Sequence, residues 1–108
     1  MLSHQVKEKL KENWPGANDL ACFVQCRLYD PASMLEFYVI AMNPEYEDSL
    51  AAIVHSENLE LELVSLQQLT TAFEAQGQIL AYDEHFRPVK AMKLWSDLQR
   101  KRRGDYGV

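Results

Sequence analysis

Hydrophobic residues recur with two different spacings along this chain, and the change of spacing predicts the order of its elements. Val6 and Leu10 have helical spacing among lysines and glutamates, so residues 3–13 predict a short amphipathic helix. Pro15 and Gly16 follow, and both residue types end helices. The pattern then changes to alternation, which is typical of strands.

The alternation predicts one continuous strand at residues 20–29, because apolar residues occupy every second position. Asp30 and Pro31 then form a turn signal, and residues 34–42 resume as a second strand. These two strands are expected to pair as a hairpin. The face of the first strand that is expected to point into the core consists of Leu20, Cys22, Val24, Cys26 and Leu28.

Two more strands are predicted at residues 50–55 and 59–63, after a polar loop at residues 43–49. The second of these strands alternates leucine with glutamate, which is typical of a strand near the edge of an antiparallel sheet. We therefore expect the leucines to face the core and the glutamates to face water. The residues concerned are Leu59, Leu61 and Leu63, and Glu60 and Glu62.

Helix signals predominate in the last third of the chain. Ser65 and Gln68 match a capping box, so a helix is expected to begin there and to end at Gly77. A short fifth strand is expected at residues 79–82, and Pro88 suits the first position of a final helix. The expected buried stripes are Leu66, Leu69 and Phe73 on the first of these helices, and Val89, Met92, Trp95 and Leu98 on the second.

This order of elements predicts the α+β class, with an antiparallel meander of four to five strands, an N-terminal helix and two C-terminal helices. A length of 108 residues, 47% of them hydrophobic, suits one domain with one core. We expect that domain to span residues 1–103. Residues 104–108 have no periodicity and are expected to form a flexible tail.

The chain has the character of a cytoplasmic protein. Its apolar runs are far shorter than the roughly 18 to 20 residues that a membrane-spanning helix needs, and its mixed-charge start differs from a secretory signal. Cys22 and Cys26 lie four residues apart, which in a strand is roughly 13 Å. A disulfide tolerates roughly 7 Å between α-carbons, so both thiols are expected to be reduced, buried and inert.

Charge is distributed unevenly within a net charge of −5. Between Leu28 and Phe86 there is no lysine or arginine, so the middle of the chain is anionic. That region is either a solvated face, a mimic of DNA or a docking surface for a basic partner. The last helix is basic and offers a possible contact for nucleic acid, or merely a helix end that complements its dipole. The residues concerned are Lys93, Arg100, Lys101, Arg102 and Arg103.

Asp83, Glu84 and His85, with His55 elsewhere, form the best candidate for acid–base or metal chemistry, because a carboxylate beside an imidazole can orient it. The alternative is a solvated loop. A zinc site needs three or four ligands, so we expect no metal. The glycines are isolated and form no phosphate-binding motif, so we expect no cofactor.

The second face of the first two strands is richer in aromatic residues than a solvated sheet face should be. Either a helix covers this face, or it binds a protein partner or a second copy of the chain. The candidate partner-binding residues are Phe23, Arg27, Tyr29, Glu36 and Tyr38.

The chain resembles a family of small bacterial proteins of unknown function, many of them encoded on plasmids and conjugative elements. The resemblance lies in four segments: residues 6–10, 28–31, 36–39 and 86–88. It implies an α+β fold and no assigned activity. The leading functional hypothesis is therefore a non-enzymatic interaction or accessory domain, with a small enzyme or metal protein built on His85, or a nucleic-acid-associated protein, as alternatives.

Overall fold

The computed structural model describes residues 2–102, which contain three α-helices, one 3₁₀ helix and seven strands. Arg103 and the expected tail at residues 104–108 lie outside the described residues. In chain order the elements are α1 (His4–Asn13), the 3₁₀ helix (Trp14–Asp19), β1 (Phe23–Val24), β2 (Cys26–Tyr29), β3 (Glu36–Asn43), β4 (Tyr46–His55), β5 (Leu59–Ser65), α2 (Leu66–Ala75), β6 (Ala81–Tyr82), β7 (Val89–Lys90) and α3 (Ala91–Arg102).

Five strands form one antiparallel sheet in the order β5-β4-β3-β2-β6. The run from β2 to β5 is the expected meander, and β6 returns to pair with β2 on its other side. The predicted α+β class, with an N-terminal helix and two C-terminal helices, is confirmed. β1 and β7 form a separate two-stranded ribbon.

Helices cover both faces of the sheet. Successive residues of β3 alternate between two hydrophobic clusters, with Phe37 and Val39 in one and Tyr38 and Ile40 in the other. The first cluster includes Leu10 of α1 and Phe73 of α2. The second includes buried or partly buried residues of the 3₁₀ helix and α3, namely Ala17, Trp14, Ala91, Leu94, Trp95 and Leu98.

The predicted continuous strand at residues 20–29 is wrong, because the chain breaks at Gln25. Val24 belongs to the cluster under α3, whereas Cys26 belongs to the cluster under α1 and α2. The backbone N–H of Gln25 donates to the carbonyl oxygen of Val39 at 3.0 Å, outside the regular ladder. Residues on either side of Gln25 therefore point their apolar side chains to opposite faces of the sheet.

The expected loop at residues 43–49 is also wrong, since β3 and β4 meet in a tight hairpin. Asn43 pairs with Tyr46 across the turn formed by Pro44 and Glu45. The side-chain oxygen of Asn43 accepts a hydrogen bond from the backbone N–H of Glu45 at 2.9 Å. This Asx-type turn closes the chain within two residues, so the polar residues after it continue as strand.

The start of α2 follows the sequence prediction. The Ser65 hydroxyl oxygen accepts a hydrogen bond from the backbone N–H of Gln68 at 3.0 Å. Asp48 adds a second cap, because its carboxylate accepts from the N–H of Gln67 at 2.9 Å and from the Ser65 hydroxyl. Gly77 follows the helix with a φ of 70°, a conformation that favours glycine.

The last helix begins three residues later than predicted. Val89 pairs with Val24, so the residues after Pro88 form β7 and α3 begins at Ala91. Trp95 and Leu98 pack as expected, but Met92 is exposed. The side chains that pack are Ala91, Leu94, Trp95 and Leu98.

None of the helices within residues 2–102 combines the length and the apolar character needed to cross a lipid bilayer.

Candidate functional site

A cluster of charged and aromatic side chains lies at one end of the sheet face that α3 partly covers. The antiparallel register places Tyr29 opposite Glu36, and Glu36 opposite His55. Directly opposed residues of an antiparallel sheet point to the same side. Three neighbouring strands thus bring these side chains together.

Glu36 is the centre of the cluster. One carboxylate oxygen accepts hydrogen bonds from Arg27 Nε at 2.7 Å and from the Tyr38 hydroxyl at 2.6 Å. The other oxygen lies 2.8 Å from His55 Nδ1, which donates because an ionised carboxylate can only accept. Burial acts to raise the pKa of Glu36, but these three donors outweigh burial and lower it below the ordinary value.

Arg27 connects Glu36 to a second carboxylate and to an aromatic ring. Its Nη1 donates to Asp83 Oδ2 at 3.2 Å, and its guanidinium carbon lies 4.2 Å from the centre of the Tyr29 ring. Burial acts to lower the pKa of Arg27, but the hydrogen bond and charge of Glu36 raise it overall. Because the guanidinium spans two carboxylates and a ring, its orientation is fixed.

The contacts of this cluster tie β2, β3, β4 and the segment after β6 together. A carboxylate that works as a general acid or base needs a pKa near the working pH, whereas that of Glu36 is lowered and its oxygens already accept three hydrogen bonds. Asp83 follows β6, and its backbone N–H also donates to the carbonyl oxygen of Arg27 at 3.0 Å. The cluster therefore holds the segment after β6 against the sheet.

The structure brings together four of the five residues proposed for partner binding: Arg27, Tyr29, Glu36 and Tyr38. Of the two alternatives for this face, a cover is present at Tyr38, which is 7% exposed and whose ring centre lies 6.1 Å from that of Phe86. Phe23 lies apart on β1 and is 46% exposed. The part of the face near Tyr38 is core, because α3 and the segment before it cover it.

Sequence reasoning missed His55 and Asp83 as members of this cluster. The signal for His55 was present, because it ends an apolar strand that pairs with the strand of Glu36. Nothing local indicated Asp83, since its contact with Arg27 depends on β6 pairing with β2. Its neighbours Glu84 and His85 are exposed, and the backbone N–H of His85 donates to Asp83 Oδ1 at 3.0 Å.

Metal-binding residue types are dispersed through the described chain. Within residues 2–102, no three histidine, cysteine, aspartate or glutamate side chains are grouped so as to hold a metal ion. Cys26 is 1% exposed, as expected, whereas Cys22 is only partly buried, so the prediction that both thiols are buried is wrong for Cys22. The break at Gln25 explains the difference, because the two cysteines lie on opposite sides of it.

The basic residues of α3 already have partners in the fold. Lys93 pairs with Asp97 at 3.2 Å, and Arg100 pairs with the same carboxylate. Arg102 donates to the backbone carbonyl oxygen of Ser56 at 3.2 Å. Lys101 is exposed. Lys93 and Arg100 share one carboxylate, and Arg102 bonds a neutral carbonyl oxygen. The end of α3 therefore keeps a net positive charge.

The long open edge of the sheet is β5. It pairs with β4 over seven residues, Leu59 to Ser65, without any shift in register, and it is the terminal strand on its side. The strand on the opposite side of the sheet, β6, has only two residues. An edge strand presents unpaired backbone N–H and C=O groups to its surroundings, so β5 offers the larger of the two sets.

The side chains of β5 differ from the predicted arrangement at Leu63. Leu59 and Leu61 pack against the cluster under α3, as expected, but Leu63 is 67% exposed because it lies beyond the residues that α3 covers. Glu60 and Glu62 are exposed, as expected. A shallow groove of about 350 Å³ runs between the start of β5 and α3, lined by Asn58, Leu59, Glu60, Gln99 and Arg102.

Comparisons with protein-family models, with curated proteins and with solved structures find no match to this chain.

Proposed function

We propose that this chain is a non-enzymatic protein-interaction domain and that its working surface is the edge formed by β5 with its exposed Leu63. The observation that carries the proposal is the open, regular, seven-residue edge strand. Adding a strand to such an edge is a recurrent way in which proteins bind extended peptides, because main-chain hydrogen bonds supply affinity and side chains supply specificity.

The composition of β5 supports this use of the edge. Natural proteins block an edge strand with charged side chains, proline, a bulge or an overlying element, and of these β5 has the charges of Glu60 and Glu62. Within Leu59–Ser65 there is no proline, lysine or glycine, and the pairing with β4 contains no bulge. The exposed Leu63 adds apolar surface in the second half of the edge, where a partner strand would contact it.

The partly buried polar cluster around Glu36 supports a non-enzymatic function. Its charged groups are paired with one another, and its central carboxylate is held ionised by three donors. The resemblance to small proteins of plasmids and conjugative elements is compatible with an accessory role of this kind.

Site-specific photo-crosslinking tests the proposal in the cell type that encodes the protein. A photoreactive phenylalanine analogue replaces Leu63 on the edge or, in the matched control, Met34, which is 79% exposed in the segment between β2 and β3. We expect a discrete protein adduct from position 63 and none from position 34. Adducts of equal yield from both positions, or none from position 63, would contradict the proposal.

A further inference from the structure

We infer that the β5 edge binds an extended partner segment that carries lysine or arginine at alternate positions, with apolar residues between them. This inference rests on the proposed function and names the chemical class of the partner. It follows from three features of the strand: the positions of its glutamates, their lack of compensation within the fold, and the unfavourable charge pattern of self-pairing.

The two glutamates of β5 lie on one face and are spaced for a strand partner. Glu60 and Glu62 are two residues apart, so their side chains point to the same side of the sheet about 7 Å apart. A partner strand has the same repeat, so cations at its positions i and i+2 would each lie beside one carboxylate. Opposite charges in directly opposed positions stabilise strand pairing.

Neither carboxylate makes a salt bridge with a cation among residues 2–102, although Arg102 lines the same groove as Glu60. The register places Glu60 opposite Val54 and Glu62 opposite Ala52 of β4, which are apolar. The salt bridges within the described part of the chain involve neither glutamate. The charge on this face of the edge is therefore available to a partner.

The opposite face of β5 provides the apolar contact. Leu61 is partly buried beside α3, and Leu63 continues the same face with most of its side chain exposed. Residues of the partner that lie between its cations would point to this side. Apolar residues at those positions would cover Leu63, which gives the recognised segment its alternating cation–apolar pattern.

A second copy of the chain is a poor occupant of the same edge. Antiparallel self-pairing centred on Leu61 would place Glu60 of one copy opposite Glu62 of the other, and pairing centred on Glu62 would oppose two identical carboxylates. Like charges that face each other directly across two strands are destabilising. The glutamates thus disfavour self-pairing in these two registers, whereas they favour a basic partner.

The negative charge of the surrounding elements also favours a basic partner. β3, β4, β5 and α2 contain no lysine or arginine, because none occurs between Leu28 and Phe86. Exposed Glu57, just before β5, adds another negative charge. A surface of one sign accelerates association with a partner of the opposite sign, and salt weakens this effect.

Peptide binding tests the partner class. The probe is a fluorescein-labelled eight-residue peptide of alternating lysine and valine, measured by fluorescence polarisation with the full chain. Two control peptides separate pattern from charge: one has the same residues in a lysine block and a valine block, and the other alternates glutamate and valine. We expect the alternating lysine peptide to bind about tenfold more tightly than the block peptide, and the glutamate peptide not to bind.

Charge-reversal variants locate the binding. Glu60→Lys/Glu62→Lys should weaken binding of the alternating lysine peptide at least about tenfold. The matched control is Glu45→Lys/Glu84→Lys, which makes the same change of net charge at two exposed sites away from β5 and should retain binding within about twofold. Circular dichroism checks that each variant is folded. The Glu60→Gln/Glu62→Gln variant removes the two negative charges without adding positive ones and should weaken binding less.

The outcomes separate this inference from the proposed function. Equal binding of the alternating and block peptides, or equal loss in both charge-reversal variants, would show attraction to net charge alone and would overturn the inference. Cross-linked adducts at position 63 without any preference for the alternating lysine peptide would overturn the partner class and leave the edge as the working surface. Absence of those adducts would contradict the proposed function itself.

Discussion

The side-chain amide of Asn13 donates a hydrogen bond to the backbone carbonyl oxygen of Ile40 at 3.0 Å. The same nitrogen lies 3.0 Å from the carbonyl oxygen of Phe23. Ile40 lies at a register shift between β3 and β4, and Phe23 lies just before the break at Gln25. Irregular ladders leave backbone groups unpaired, so the last residue of α1 satisfies the two carbonyls at the point where both strands depart from regularity.

Replacing Asn13 with alanine should destabilise the fold by about 1–3 kcal/mol, because it leaves two backbone carbonyl oxygens without this donor. Urea denaturation monitored by circular dichroism measures the change. Asn18→Ala, at an exposed position of the 3₁₀ helix, is the matched control and should cost less than about 0.5 kcal/mol. Equal losses in the two variants would show that Asn13 does not join α1 to the sheet.

Replacing Glu36 with glutamine should lower stability at neutral pH by about 1–3 kcal/mol, because Arg27 and His55 lose an ionised acceptor. The pKa of Glu36 is lowered in the fold, so its contribution is complete above the ordinary value of 4.5 and is lost as the pH falls through the lower folded value. The difference between the natural chain and Glu36→Gln should therefore shrink below pH 4.5.

Urea denaturation midpoints of the natural chain and of Glu36→Gln, measured at a series of acidic pH values, test whether their stabilities converge. Glu84→Gln is the control, because Glu84 is exposed on the segment after β6, and it should match the natural chain throughout. A stability difference for Glu36→Gln that stays constant as the medium is acidified would refute the linkage.

Tyr38 and Phe23 occupy equivalent positions in the sequence pattern, but truncating the two side chains should lower the stability of the fold by very different amounts. Tyr38→Ser should cost about 3–5 kcal/mol, as expected for a buried aromatic side chain in contact with Phe86. Phe23→Ser should cost less than about 1 kcal/mol, because the ring is half exposed on the β1–β7 ribbon. Thermal unfolding of the two single variants decides this, and similar losses would contradict the burial of Tyr38.

The two thiols should differ in reactivity towards a thiol reagent in the native protein. Burial raises the pKa of Cys26 to about 12, and its side chain is inaccessible, so it should not react before unfolding. Cys22 is partly exposed and should react first, although burial also raises its pKa. We expect one fast equivalent that Cys22→Ser abolishes, and two fast equivalents would be incompatible with this fold.

Features that depend on hydrogen bonds or backbone conformation within a few residues were predictable from the sequence. Ser65 caps α2 through an N–H three residues away, and Asp30 accepts a hydrogen bond from the N–H of Ala32 at 2.9 Å in the turn before β3. Gly77 follows α2 with a positive φ. Each of these features depends only on residues within a few positions of it in the sequence. A short stretch of sequence is therefore enough to predict it.

Features governed by distant partners were not predictable in this way. Alternation across residues 20–29 is the same in a straight strand and in one that breaks at Gln25, because the break depends on distant contacts: the Gln25 N–H bonds Val39 and the Asn13 amide bonds Phe23. Pro88 is compatible with a helix start, yet Val89 pairs with Val24 and delays that start to Ala91. In both places a long-range hydrogen bond overrides a valid local preference.

For the candidate sites, local periodicity was enough to show which residues share a face, whereas the packing of distant elements fixed which of them are exposed to solvent. Two-residue periodicity placed Arg27 with Tyr29, Glu36 with Tyr38, and Glu60 with Glu62. The packing of α3 and of the segment before it buries Tyr38 and leaves Leu63 exposed. The alternating pattern of a strand does not indicate how far a covering helix extends. Periodicity is a property of neighbouring backbone units, whereas coverage depends on where distant elements end.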